Sequence, residues 1–165
     1  MGNRIGSAVI AAMPALPALA NAQSSTVDRY SRVELLDQAR LLEQGASTTG
    51  FAGSKLAQYP NHFTMLTLRK KSGGAEIHQD YADIFVVVRG QATLVSGGKV
   101  IAPKVVSPGE TQGTSVQGGA STPLHDGDVV HIPAGVPHQL LLATDDDFVY
   151  FVIKVREQSM NPEAP

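Results

Sequence analysis

Glu76, His78, Asp80 and Asp83 fall within eight residues, at the entrance to the apolar run IFVVV at 84–88. On a strand, residues two apart face the same way, so Glu76 and His78 project together. After a four-residue turn Asp83 opens the next strand, and an antiparallel return sets its carboxylate beside them. A solvated loop would account for the polarity but not for the choice of residues, whereas carboxylate and imidazole donors brought together are the material of a metal site. A fourth donor comes from GDVVHIPAGVPHQL at 127–140. There Pro133 and Gly135 force a corner, after which His138 begins a strand whose alternate positions, Leu140 and Leu142, look inward.

Many short strands must position these groups. With 16 Gly and 10 Pro among 165 residues, 42% apolar and 17% charged, the composition favours strands and turns over long helices, in one domain. Strand-like segments occupy 62–70, 75–79, 83–90, 91–98, 99–106, 128–133, 138–144 and 148–155, punctuated by Gly90, Gly97-Gly98 and Asp145-Asp146-Asp147. Before them, Val33, Leu35, Leu36, Ala39 and Leu42 recur at near-helical spacing over 30–44, with Asp28 as a candidate cap and Gly45 as the stop. That helix is expected on the barrel exterior. STTGFAGSK at 47–55 reads as a loop, and the Gly/Ser/Thr-rich stretch between Ser107 and Asp126 as a loop or lid over one barrel end.

The two ligand-bearing segments resemble the two sequence motifs of the cupin family. The second motif, G-x5-P-x-G-x2-H, is met at Gly127, Pro133, Gly135 and His138, with Leu142 in the place of a final Asn. In the first motif, Asp83 and Gly90 keep the last spacing and His78 takes the second His position. Glu76 stands for the first His and Asp83 for the Glu. The resemblance covers about residues 60–155. It implies an all-β, double-stranded β-helix or jelly-roll barrel with one N-terminal helix, holding one divalent metal near one mouth. The implied ligands are Glu76, His78, Asp83 and His138. Both substitutions are to residues that still ligate. Two carboxylates and two imidazoles would neutralise a divalent ion and suit Mn, Fe or Zn. A facial triad of His78, His138 and one carboxylate, with the other carboxylate as general base, is the variant arrangement. Without a cation, two carboxylates inside a dry barrel would be costly.

Other polar residues have structural readings. Asp80 reads as a turn residue, His125 as loop surface, and His131 as a core histidine rather than a pocket wall. Tyr59 and His62 form a strand-entry turn or line the mouth. Phe85, Val87, Leu94, Leu140, Leu142, Phe148 and Phe151 are expected in the core.

The net charge of −2, with no basic run, argues against nucleic acid and against a membrane partner for the mature form. Residues 1–22 read as an export signal: Arg4, a small-apolar run at 5–19 broken by Pro14 and Pro17, and Ala20-Asn21-Ala22 as the cleavage site. Cleavage before Gln23 would deliver a periplasmic or secreted protein. Its organisation would be a tether, helix and loop at 23–58, the barrel at 59–156 and a tail at 157–165. Without cysteine, stability in an oxidising compartment rests on packing. The expected partner is a small-molecule ligand or substrate, and a homodimer is left open. Metal-dependent oxygenase or isomerase/lyase chemistry and non-catalytic ligand binding or storage share these features, because fold does not settle function.

Overall fold

The helix expected at 30–44 is α1, Arg32–Thr49. Ser31, not Asp28, caps it: the Ser31 hydroxyl accepts from the Glu34 N–H, and the Glu34 carboxylate accepts from the Ser31 N–H at 2.7 Å. This reciprocal pair satisfies two otherwise orphaned donors. Gly45 does not end the helix. It lies inside the helix, where a Cβ would meet that of Ala52 at 3.4 Å, an ordinary contact. The stop is Gly50, left-handed at φ 85°, whose N–H bonds the Ala46 carbonyl at 2.7 Å. These elements belong to a computed structural model that describes residues 27–143 and 147–157. The expected export signal and its cleavage site, residues 144–146 of the Asp-rich turn and residues 158–165 lie outside the described residues.

Thirteen strands follow: β1 Phe51–Gln58, β2 His62–Arg69, β3 Ala75–His78, β4 Tyr81–Arg89, β5 Ala92–Ser96, β6 Lys99–Ile101, β7 Lys104–Ser107, β8 Glu110–Gly113, β9 Ser115–Gln117, β10 Ala120–Leu124, β11 Val129–Ile132, β12 His138–Leu141 and β13 Phe148–Arg156. Two sheets, ordered β1-β2-β13-β4-β11 and β10-β5-β12-β3-β8-β7, pair antiparallel throughout, with β6-β9 as a small third. This is the expected all-β, double-sheet barrel with a single helix among the described residues.

Two expectations for connecting segments are overturned. The 47–55 segment is the end of α1 and the start of β1, which pairs along β2. The 107–126 segment is not a lid: it contains β8, β9 and β10, and β8 pairs directly with β3. The run expected at 99–106 splits into β6 and β7, which belong to different sheets.

Alternation along the strands explains the two cores. In β13, Phe148, Tyr150 and Val152 join Phe85 and Val87 of β4 and Leu94, Leu140 and Leu124 of the other sheet in the barrel interior. The intervening Val149 joins Leu66 and Leu68 of β2 and Val88 of β4 under α1, which supplies Leu35, Ala39 and Ala46. Leu66 and Leu68 are wholly buried, each stabilising the fold by roughly 1.5–3 kcal/mol. In the IFVVV run, Phe85 and Val87 look into the barrel and Val88 lies beneath the helix, while Ile84 and Val86 are half-buried. Gly90 ends this strand at φ 96°, where a Cβ would meet the Asp147 carbonyl at 2.4 Å.

Candidate metal centre

Only Gln79 and Asp80 separate β3 from β4, yet the two strands lie in different sheets. Asp83 therefore meets Glu76 and His78 across the barrel interior and not along an antiparallel ladder, which corrects the hairpin expected for them. Glu76 and His78 do share a face. Directly opposite Glu76 across the ladder is His138, opposite His78 is Glu110, and opposite Asp83 is Lys154. Facing residues in antiparallel strands carry their Cβ atoms about 4.5–5.5 Å apart, so these three pairs are contacts fixed by register. The corner before His138 locks the arrangement: Gly135, at φ 76°, donates its N–H to the His78 carbonyl at 2.8 Å.

The side chains converge. His78 Nε2 lies 3.5 Å from Asp83 Oδ2 and 3.8 Å from Glu76 Oε2, and His138 Nε2 lies 3.7 Å from the same Asp83 oxygen. The two imidazole centroids are 5.2 Å apart. One donor atom each from Glu76, His78 and His138 fall within 4.8 Å of one another. A tetrahedral ion with ligand bonds of about 2.0–2.1 Å spaces its donors by about 3.3 Å, so these separations close with small side-chain movements.

His138 is the most informative member. Its Nδ1–H donates to the Val136 carbonyl at 3.0 Å, which leaves the lone pair on Nε2. That Nε2 is enclosed and has no hydrogen-bond partner among the described residues. Burial, the largest influence, pushes the His138 pKa down and keeps the ring neutral. A buried, neutral imidazole with an unpartnered lone pair aimed at carboxylates is the protonation state a metal requires. His78 is oriented in the same way, its Nδ1 bonded to the Glu110 carboxylate so that Nε2 faces the cluster.

Lys154 changes the charge balance expected of two carboxylates. Its Nζ sits 2.7 and 2.9 Å from the Asp83 oxygens, with Asp83 buried and Lys154 partly so. Asp83 is thus neutralised by protein, and Glu76 is the carboxylate of the cluster with no ammonium beside it. Lys154 continues the inward alternation Phe148, Tyr150, Val152, which could have revealed it in the sequence. Glu110 gave no such signal, because only the non-local β3–β8 pairing brings it to His78.

The remaining candidates stand apart. Asp80 is in the β3–β4 turn, and Tyr59 and His62 stack at 4.3 Å in the strand-entry turn that the Tyr59 N–H closes on the His62 carbonyl. His125 is exposed beside Asp128. His131, expected in the core, is exposed on β11 and lies 3.9 Å from Glu157, because Ile132 takes the buried position. A cavity of about 160 Å³ opens over the cluster, bounded by Glu76, His78, Asp83, Arg69, Phe85 and Tyr150. His138, 3% exposed, is not among the lining residues. A second cavity, of about 200 Å³ beside Thr93 and His125, holds no comparable donor set.

No protein-family model matches the chain, and no curated protein does. Solved structures do match. The cupin domain of Cnp3 from Schizosaccharomyces pombe superposes with a TM-score of 0.50 at 6% identity, over 65% of this chain and 65% of that one. KdgF from Halomonas sp. gives 0.49 at 15% identity, over 67% of this chain and 83% of that one. A cupin 2 conserved barrel domain protein from Salinispora arenicola gives 0.45 at 24% identity, over 64% and 75%. The Cnp3 likeness speaks to architecture alone, and the chain has the cupin fold. Its cluster of Glu76, His78 and His138 is consistent with a bound metal ion.

Proposed function

We propose that the barrel holds one divalent ion (Mn, Fe or Zn) through Glu76, His78 and His138, with Asp83 in the fourth position, and that a small molecule binds in the cavity above it. The observation that carries this reading is the enclosed, unpartnered Nε2 of His138 facing three other potential ligands. An ion in this site would supply Lewis acidity towards a substrate oxygen, or oxygen activation if it is iron. The chain's own residues do the rest. Glu110 holds the His78 tautomer, the Val136 carbonyl holds that of His138, and Lys154 restrains Asp83. Elemental analysis of protein purified without added metal tests the reading. Iron points to oxygen chemistry, zinc to hydrolytic or structural use, and the absence of any metal would refute the centre and leave a bare binding module.

The acidic residues should separate by role. Glu76→Gln is expected to weaken metal binding more than Asp83→Asn, because Asp83 already shares its charge with Lys154. Glu110→Gln removes a partner that only orients His78, and should cost about 10- to 100-fold in affinity. His131→Ala, on the exposed face of β11, should leave metal content unchanged. Competition titrations on the folded fraction of each variant check the order, and an Asp83→Asn loss exceeding that of Glu76→Gln would reverse the assignment.

We further propose that the protein is exported and acts in the periplasm or outside the cell, supported by the positively charged start, apolar run and A-x-A site of residues 1–22. Expressed with its own N-terminus in an exporting host, the recovered protein should begin at Gln23 by N-terminal sequencing. Met1 retained on the recovered protein would remove the claim.

A further inference from the structure

Arg69, on β2, is 8% exposed, yet among the described residues no carboxylate lies within ion-pair distance of it. Its Nε donates to the Tyr150 hydroxyl at 3.1 Å, and its guanidinium carbon lies 4.7 Å from the centre of the Phe51 ring. Neither contact neutralises it. Burial pushes the Tyr150 pKa up, so the phenol stays uncharged. Nη1 and Nη2 make no hydrogen bond among the described residues, and Arg69 lines the same cavity as Glu76, His78 and Asp83. Gly73 makes room for the guanidinium: a Cβ at that position would lie 2.5 Å from Nη1. A cation 8% exposed, with two donor groups open to a cavity and no carboxylate beside it, is placed to take an anion.

We infer that the cavity receives a small organic carboxylate whose two oxygens engage the Arg69 guanidinium while its body reaches towards Glu76, His78 and His138. The planar fork of arginine matches a carboxylate with two parallel hydrogen bonds. Met65, Phe85 and Val152 give the rest of the cavity an apolar lining. Its size suits one ring or a short chain, since a cavity of about 150 Å³ accommodates benzene. Charge favours the same occupant. Glu76, Asp83 and Glu110 exceed Lys154 and Arg69 by one negative charge, so a divalent ion leaves a net positive charge that an incoming monoanion offsets. This inference rests on the proposal that the cavity binds a small molecule above a metal centre.

The test is calorimetric titration of the purified protein with benzoate and benzamide, with hexanoate and hexanamide as a second pair, and with inorganic phosphate. Each carboxylate matches its amide in shape and differs in charge. At least one carboxylate should bind about 10- to 100-fold more tightly than its amide, the worth of a charge-assisted pair. Arg69→Met should abolish that preference while retaining metal, and Arg69→Lys, which keeps the charge without the fork, should lose most of it. Equal binding of acid and amide in both pairs overturns the inference, whether or not Arg69→Met folds. So does a preference that survives in Arg69→Met, or phosphate binding more tightly than either carboxylate. Metal content measured on the same samples separates the two readings. A metal-free protein that prefers carboxylates refutes the metal centre and keeps the anion site, whereas a metal-loaded protein without the preference refutes the anion site.

Discussion

Metal content is expected to fall to background in His138→Ala and in His78→Ala, while both variants should keep the circular dichroism of the parent. Each histidine comes from a different strand and each presents Nε2 to the same Asp83 oxygen, at 3.7 and 3.5 Å. Loss of either leaves one imidazole, and loss of a direct donor should exceed the roughly 100-fold upper range seen on removing an orienting partner. The fold should survive better than the site. His138 Nε2 has no hydrogen-bond partner among the described residues, so truncation removes an unsatisfied buried atom along with the packing of the ring. Full metal retention in His138→Ala, measured by elemental analysis beside the parent, would overturn the site.

The second large effect is expected at Lys154. Lys154→Met removes the ammonium that contacts both oxygens of Asp83 and leaves a carboxylate, 2% exposed, without its cation. Breaking a buried ion pair from one side costs about 3–5 kcal/mol, and that loss should appear in denaturant unfolding with a chelator present. Added zinc should restore much of it, because the ion supplies positive charge next to Asp83. By linkage, the variant should then bind metal more tightly than the parent does. Equal destabilisation with chelator and with zinc would show that Asp83 does not sense the metal position.

Much of the fold was legible because period-two and near-3.6 patterns are local. The alternation in β13 and the apolar run of β4 placed strands within a residue or two, and the Pro133-Gly135 corner placed His138. What escaped was either weakly patterned or non-local. β1, FAGSKLAQ, is an edge strand of small and polar residues with poor strand propensity, so its pairing with β2 outweighs its composition. β8 to β10 are mostly exposed or half-buried, which erases the apolar signal. Within the site, Glu76, His78 and Asp83 could be brought together from spacing alone, although through the wrong connection. Glu110 and Lys154 required knowing which strands pair. Arg69 was hidden because an arginine ending a strand ordinarily marks an exit to solvent.

The Asp83–Lys154 pair also bears on how the chain finds its alignment. Sliding β13 by one residue along β4 turns its apolar set to the wrong face, and the hydrophobic pattern alone resists that. A slide by two residues keeps Phe148, Tyr150 and Val152 facing inward, and apolar packing discriminates against it poorly. Such a slide would set Asp83 opposite Val152 or Arg156 in place of Lys154. Opposite Val152 the carboxylate would be buried without a cation. Opposite Arg156, Lys154 would be carried deeper into the apolar interior, away from its partner. The ion pair thereby rejects the misaligned ladders that greasy side chains would accept, and assembling the chemical site becomes part of proofreading the fold.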